Sequence, residues 1–302
     1  MVLRFVFRYP EVVGSDGHML DPGPLADVAR AAEDAGFDGI ALTEHPAPSA
    51  RWLAAGGHQT IDPFVALGHV AAVTSRIRLI THLAIVPYRN PSLLAKSAAT
   101  VDLLSGGRLT LGLGVGYQKS EFHALGVEFA DRNTLFDEAL DVLPMHWSGR
   151  PFSYRGTGFS ARDVVGLPRP VQDPIPIWIG GNSALSRRRA ATRGTGWMPM
   201  PGAGAGVPAL GTPAELADAI TGMRALATAA GRVDDIDVLY PYGPDGLPDP
   251  ISEAESCRKE LAEYEAAGVT WIAVTGPTSD RAATLSWIEA FAGAQLVGRD
   301  AR

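Results

Sequence analysis

Short apolar runs and longer amphipathic runs alternate along this chain from one end to the other. Apolar stretches of about 4–8 residues bounded by turn residues read as buried strands, and stretches of about 10–15 residues with apolar positions three and four apart read as helices. Residues 3–9 form the first predicted strand. The first helix opens at Asp21-Pro22, turns Leu25, Val28, Ala29 and Ala32 inward and stops at Gly36, because proline suits a first helical turn and glycine ends one. Strands follow at 39–43 and 77–85, with helices opening at Asp62-Pro63 and Asn90-Pro91 and running to about 74 and 104. A fourth strand begins at Leu109, and a fourth helix covers 131–147. The second half repeats the rhythm, with strands at 175–179, 196–200, 236–240 and 270–274. Its helices start from a cap at Asn182 or Ser183, from a capping box Thr212 to Glu215, from a second box Ser252 to Glu255, and at 281 for a final run to 292.

Strand–helix units repeated eight times, with no cluster of consecutive strands, predict an α/β chain folded as a (β/α)8 TIM barrel. A doubly wound open sheet is the alternative. The barrel fits better because the count reaches eight and no linker divides residues 1–302, which read as one domain. Two segments, 46–60 after the second strand and 149–174 before the fifth, are longer than ordinary connections, and loops of that length often cover an active site. A Gly/Pro-rich segment at 201–211 is a third irregular stretch.

The candidate chemistry lies where strands end, since barrels place reactive groups at strand C-termini. Residues 108–121, RLTLGLGVGYQKSE, carry a strand into Gly112, Gly114 and Gly116, then Tyr117 and a polar run. Without a Cβ, such a strand end admits either a flat ring or a neighbouring piece of the protein. Tyr117 and Gln118 stand where GxGxxG needs its third glycine, so a Rossmann dinucleotide site is poorly supported. Glu44-His45 ends the second strand. A histidine there can pass a proton near neutral pH, and the glutamate can orient a ring. Thr81-His82 interrupts the third strand with a polar pair that must face the mouth or find partners. The run from Ile179 through Gly180, Gly181, Asn182 and Ser183 opens a helix whose N–H groups suit a phosphate; the loops at Tyr242-Gly243 and Thr275-Gly276 are the other place for one. Trp52, Phe152, Tyr154 and Phe159 in the two long segments suggest an apolar or aromatic ligand, or a lid packed on its own side chains.

Composition narrows the function classes. A formal charge of −7 argues against bulk binding to nucleic acid or anionic membrane. One cysteine, Cys257, excludes an internal disulfide and fits a cytoplasmic setting. No apolar run approaches the roughly 20 residues that cross a bilayer, and the start lacks a signal-peptide pattern. No HExxH or paired CxxC occurs, so no metal site is expected.

Taken together, three segments resemble the bacterial luciferase-like family of flavin-type oxidoreductases, nearly along the whole chain. They are 75–113 (SRIRLITHLAIVPYRNPSLLAKSAATVDLLSGGRLTLGL), 114–137 (GVGYQKSEFHALGVEFADRNTLFD) and 176–199 (PIWIGGNSALSRRRAATRGTGWMP). Within that family the chain is most similar to the branch that uses the deazaflavin coenzyme F420. The resemblance implies a flavin-like ring at the barrel mouth, backed by a non-proline cis peptide at His82-Leu83. It puts Glu44 and His45 at the ring and the reacting centre, Gly180 and Gly181 at the cofactor phosphate, and Ser120 where some relatives use an asparagine. The implied cofactor contacts are Glu44, Thr81, His82, Leu83, Gly116, Tyr117, Ser120, Gly180, Gly181 and Asn182, with His45, Glu44 and Tyr117 as catalytic candidates. Tyr117 stands where sugar-phosphate dehydrogenases of the family carry a glutamate, which argues against sugar-phosphate oxidation. Ile85 replaces a residue that is polar in some relatives. The implied reaction is F420-dependent hydride transfer to or from a small organic substrate. The alternative is a monooxygenase using reduced FMN and oxygen, and a third reading is a barrel that has lost catalysis. A flavin or F420 reductase as redox partner and a homodimer are further expectations.

Overall fold

The computed structural model describes residues 3–11, 18–202, 208–243, 250–276 and 280–296. Its first elements are β1 (Arg4–Arg8), α1 (Pro22–Asp34), β2 (Gly39–Leu42), α2 (Ala50–Ala54), α3 (Pro63–Val73), β3 (Arg78–Thr81) and β4 (Ala84–Ile85). Next come α4 (Pro91–Ser105), β5 (Leu109–Gly114), α5 (Lys119–Ala124), α6 (Arg132–Trp147), β6 (Phe152–Arg155) and β7 (Ser160–Val164). The remainder is β8 (Ile177–Gly180), α7 (Ala184–Arg193), β9 (Gly196–Met198), α8 (Pro213–Ala229), β10 (Asp237–Pro241), α9 (Ala254–Ala266), β11 (Trp271–Val274) and α10 (Arg281–Phe291). The sheet order is β3-β2-β1-β11-β10-β9-β8-β5-β4, and β3 also pairs with β5. This is the order of a closed parallel (β/α)8 barrel in which the third strand is written as two pieces. Among the described residues, no helix is long and apolar enough to cross a membrane.

By internal contacts the chain forms two units. One comprises Met1–Ala41, Arg76–Arg78 and Ile177–Arg302; the other comprises Leu42–Ser75 and Leu79–Pro176. In the first, alternation along β1 sends Phe5 and Phe7 to its helix-facing side. Phe5 meets Phe291 edge-on at 5.6 Å, and Phe7 meets Phe37 at 5.7 Å and Trp287 at 5.9 Å. These rings are buried, and each removes a large apolar area from water, which drives the strand–helix packing.

In the second unit α3, α4 and α6 bury Leu67, Val70, Leu94, Ala98, Leu140 and Leu143. Trp147 donates its indole N–H to Ala95 O at 3.0 Å. Arg108, just before β5, ties the far ends of two helices together. Its guanidinium donates to Ser105 O (2.8 Å), Thr74 Oγ1 (2.9 Å), Thr74 O (3.0 Å) and Ala71 O (3.1 Å).

The helix starts follow local chemistry in most cases. Asp62 caps α3 through Phe64 and Val65, Asn90 caps α4 through Ser92, Ser183 caps α7 through Ser186, and Thr212 with Glu215 forms a complete capping box on α8. Two expectations need correction. Asp21 makes no capping hydrogen bond among the described residues. The Ser252–Glu255 spacing does not fall on a helix start, because α9 begins at Ala254 after Glu253.

The two long segments also differ from open loops. Residues 46–60 contain the short helix α2, capped by Ser49. Residues 149–174 contain the antiparallel hairpin β6–β7, with Phe152 opposite Val164 and Arg155 opposite Ser160. Its turn is held by a buried carboxylate. Glu138 on α6 accepts N–H bonds from Thr157, Gly158 and Phe159. Of the 201–211 segment, residues 203–207 lie outside the described residues.

Candidate active site

The third strand breaks where the sequence places its polar pair. The His82–Leu83 peptide bond is cis. Upstream, Leu79 and Ile80 pair with Leu109 and Thr110; downstream, Ala84 and Ile85 pair with Leu113 and Gly114. From Ile80 to Ala84 the chain therefore takes four residue steps against three on β5. An extra residue of this kind re-aims the side chains around it. Both residues are tied into the strand, Thr81 by its side chain and His82 by its main chain. The Thr81 hydroxyl donates to Gly112 O at 2.7 Å, and the His82 N–H donates to Leu42 O at 2.7 Å.

The glycines of the β5 end make room for this broken strand. A Cβ on Gly114 would sit 3.2 Å from Leu83 Cβ, and one on Gly116, whose φ is +79°, would sit 2.7 Å from Ile85 Cγ2 and 2.8 Å from Phe122. Of the two readings the sequence leaves open, close approach of the protein's own side chains accounts for Gly114 and Gly116.

Glu44 and His45 follow β2 and face different tasks. Glu44 is buried and accepts the Ile85 N–H at 2.6 Å; its other oxygen pairs with Arg89. Arg89 also reaches Asp62 at 2.9 Å and lies over the Phe64 ring. Burial raises the Glu44 carboxyl above the usual carboxylate range, against the pull of Arg89 and the Ile85 N–H. Both Glu44 oxygens thus hold the frame of the site.

His45 is 8% exposed. Its Nδ1 lies 3.3 Å from Glu121 Oε2, and three rings surround it: Trp52 at 4.5 Å, His58 at 5.1 Å and Tyr117 at 5.9 Å. Glu121, in the first turn of α5, is almost fully buried. It also accepts the Tyr88 hydroxyl at 3.0 Å and the Ala47 N–H at 3.3 Å. Burial alone would raise its carboxyl; the hydrogen bond and charge of His45, with the Tyr88 and Ala47 bonds, outweigh burial and hold it below the usual range. Glu121 is the functional candidate that sequence reading missed. The available signal was an acid in the polar run after Gly116, directly before the buried Phe122.

The other candidates separate. Tyr117 is 63% exposed and lies beside His45. Ser120 is exposed on α5. Gln118 Nε2 is buried next to Tyr117. Of the four aromatic residues in the long segments, Trp52 alone packs on His45 among the described ring contacts. Phe152 lies against His146, Tyr154 stacks on Phe159 and donates to Asp141, so these three pack the hairpin.

In the first unit, Gly180 ends β8 and Gly181 follows with φ +103°. The Gly181 N–H donates to Met198 O at 3.1 Å. The Asn182 amide is fully engaged: it donates to Met200 O, Gly202 O and Pro208 O and accepts the Met200 N–H. At the start of α7 the Ser183 hydroxyl accepts the Ser186 N–H at 3.0 Å and bonds the Ser186 hydroxyl at 2.9 Å, which leaves that pair one O–H for an anion beside the first N–H groups of the helix. That donor set, at the positive end of a helix, suits a cofactor phosphate. No group of metal-ligating side chains occurs among the described residues.

Known proteins are similar to this chain in sequence and in fold. Residues 5–243 match the family model of the luciferase-like monooxygenases. The F420-dependent glucose-6-phosphate dehydrogenase of Microbacterium testaceum is 30% identical over 261 residues, covering 85% of this chain and 72% of that protein. Two solved structures share the fold at low identity. The monooxygenase RslO1 from Streptomyces bottropensis superposes with a TM-score of 0.78 at 22% identity, covering 97% of this chain and 99% of that one. An F420-dependent secondary alcohol dehydrogenase, in complex with an F420-acetone adduct, gives a TM-score of 0.78 at 17% identity, covering 99% and 100%. With its barrel order, its interrupted third strand and a match spanning most of its length, this chain belongs to the luciferase-like monooxygenase family and is an oxidoreductase.

Proposed function

We propose that this chain is an F420-dependent oxidoreductase acting on a small organic substrate, with His45 as the proton-exchanging group. The observation that carries the reading is a buried histidine at the end of β2, packed among Trp52, His58 and Tyr117. A proton-competent side chain with aromatic walls is what a hydride-transfer site needs beside the cofactor, because the ring supplies the redox chemistry and the protein supplies position and electrostatics. The deazaflavin, when bound, gives or takes a hydride at a ring carbon. His45 gives the matching proton to, or takes it from, the substrate oxygen or nitrogen next to the carbon that changes. Glu44 with Arg89 fixes the β4 segment, and Tyr117 lies edge-on to the His45 ring. Ser183 and Ser186 would hold the cofactor phosphate. The choice of F420 over FMN is supported by the Microbacterium testaceum relative, whose name carries that dependence.

Fluorescence titration with purified F420 and with FMN tests this. Micromolar binding of F420 together with weak or absent FMN binding supports it. Tight binding of FMN alone points to the oxygen-dependent reaction and overturns it, as does the absence of binding by both.

A further inference from the structure

Two donors and the His45 ring meet at one carboxylate. Glu121 Oε2 receives the Tyr88 hydroxyl at 3.0 Å and lies 3.3 Å from His45 Nδ1, while Oε1 receives the Ala47 N–H at 3.3 Å. An ionised carboxylate only accepts hydrogen bonds. The Ala47 N–H is fixed by the backbone and cannot reverse. The Tyr88 hydroxyl is held from the other side by its packing, 5.0 Å edge-on to Phe122.

We infer that Glu121, steadied by Tyr88 and the Ala47 N–H, is a positioning residue that fixes His45 with its proton on Nδ1 and leaves Nε2 as the nitrogen that exchanges protons with substrate. The inference rests on the reading of His45 given above. When His45 works as a base, its Nε2 lone pair takes a substrate proton and an imidazolium forms; Glu121 then faces a positive ring instead of a neutral one. When it works as an acid, the imidazolium gives its Nε2 proton to the substrate, the electron pair stays on Nε2, and the Nδ1–H tautomer remains. In either direction the Nδ1 proton stays in the Glu121 hydrogen bond, so no rotation of the ring is needed between half-reactions. A neutral imidazole in water favours the proton on Nε2, so the Nδ1–H form is a specific signature of this arrangement.

Glu121→Gln tests the idea with little change in shape. A carboxamide brings N–H donors into a place that already receives the Tyr88 hydroxyl and the Ala47 N–H. If the amide N–H meets His45, the ring must accept at Nδ1 and carry its own proton on Nε2, which blocks the working nitrogen. The measurement is long-range 1H–15N NMR of the imidazole nitrogens in the cofactor-free protein, with His45 assigned by the loss of its signals in His45→Gln. Neutral His45 in the wild-type chain is expected to be protonated on Nδ1. In Glu121→Gln the proton is expected to move toward Nε2, and kcat is expected to fall at least tenfold while KM and cofactor Kd stay within about twofold. Tyr88→Phe removes one donor without adding another, and its His45 is expected to keep the wild-type tautomer. A wild-type His45 protonated on Nε2 overturns the inference, and this result needs no variant to fold. A kcat of Glu121→Gln within twofold of wild type also overturns it, whichever tautomer is found. Because the NMR uses no cofactor, failure of F420 to bind would overturn the proposed function and leave the tautomer result standing.

Discussion

Single side chains in this protein divide into those that hold the site and those left to act. Glu44 accepts Ile85 N–H and Arg89, Thr81 donates to Gly112 O, and Asn182 is surrounded by backbone partners. His45 has Nδ1 beside Glu121 and rings on its other sides. Replacing it with alanine is expected to lower turnover by about 10²–10⁴-fold, the usual loss of a general acid or base, with cofactor affinity within about twofold; steady-state kinetics and a fluorescence titration read the two. Glu121 carries a stability signature as well. Its folded pKa is held below the ordinary value of 4.5. Its contribution is therefore whole above the ordinary glutamate range and is lost as pH falls through the lower folded value. Thermal unfolding of wild type and Glu121→Gln should thus differ more at pH 7 than below the ordinary glutamate range, the gap narrowing as pH falls toward the lower folded value. Neither His45–Glu121 nor its role was legible in the sequence as a pair, because 76 positions separate the partners. The Glu44-His45 step was legible because it directly follows an apolar strand.

At the level of elements, what could be read was what is local. Asp62-Pro63, Asn90-Pro91 and the Thr212–Glu215 box announce helices because the cap and its N–H partners lie within a few residues. The hairpin β6–β7 could not be read that way. Its strands are short and partly exposed, and its turn is held by Glu138, some twenty positions upstream. Glu138 is buried, and its removal leaves the N–H groups of Thr157, Gly158 and Phe159 without their carboxylate. Glu138→Ala is expected to destabilise the chain by about 2 kcal/mol and to raise amide exchange across residues 152–164 above that of β5. Unchanged exchange in the hairpin would show that the strands hold themselves. The broken third strand sits between these cases. Its polar pair was visible, but the extra residue step appears only when β3 and β4 are both laid along β5.

For the whole molecule, the alternating rhythm of strands and helices carried the architecture, and eight units pointed to a closed barrel rather than an open sheet. The net charge of −7 is a property of the surface as a whole and says little about the site. A ligand that binds the folded chain and not the unfolded one raises its melting temperature by mass action. F420 at about 100 times its Kd should stabilise by about 2.7 kcal/mol, a rise of about 5 °C for a chain of this size. Differential scanning calorimetry with F420 and with FMN at equal concentration reads that shift. The same rise with FMN, or none with F420, would count against the proposed cofactor.

Arg108 has a consequence for how such a protein can change over time. Its guanidinium gathers Ala71, Thr74 and Ser105 at the start of β5, while Tyr117 and Glu121 follow its other end. Six residues of extended chain, roughly 20 Å, lie between. Mutation can rewrite the loop after β5 for a new substrate without loosening the anchor at its root. Innovation and durability are assigned to opposite tips of one strand.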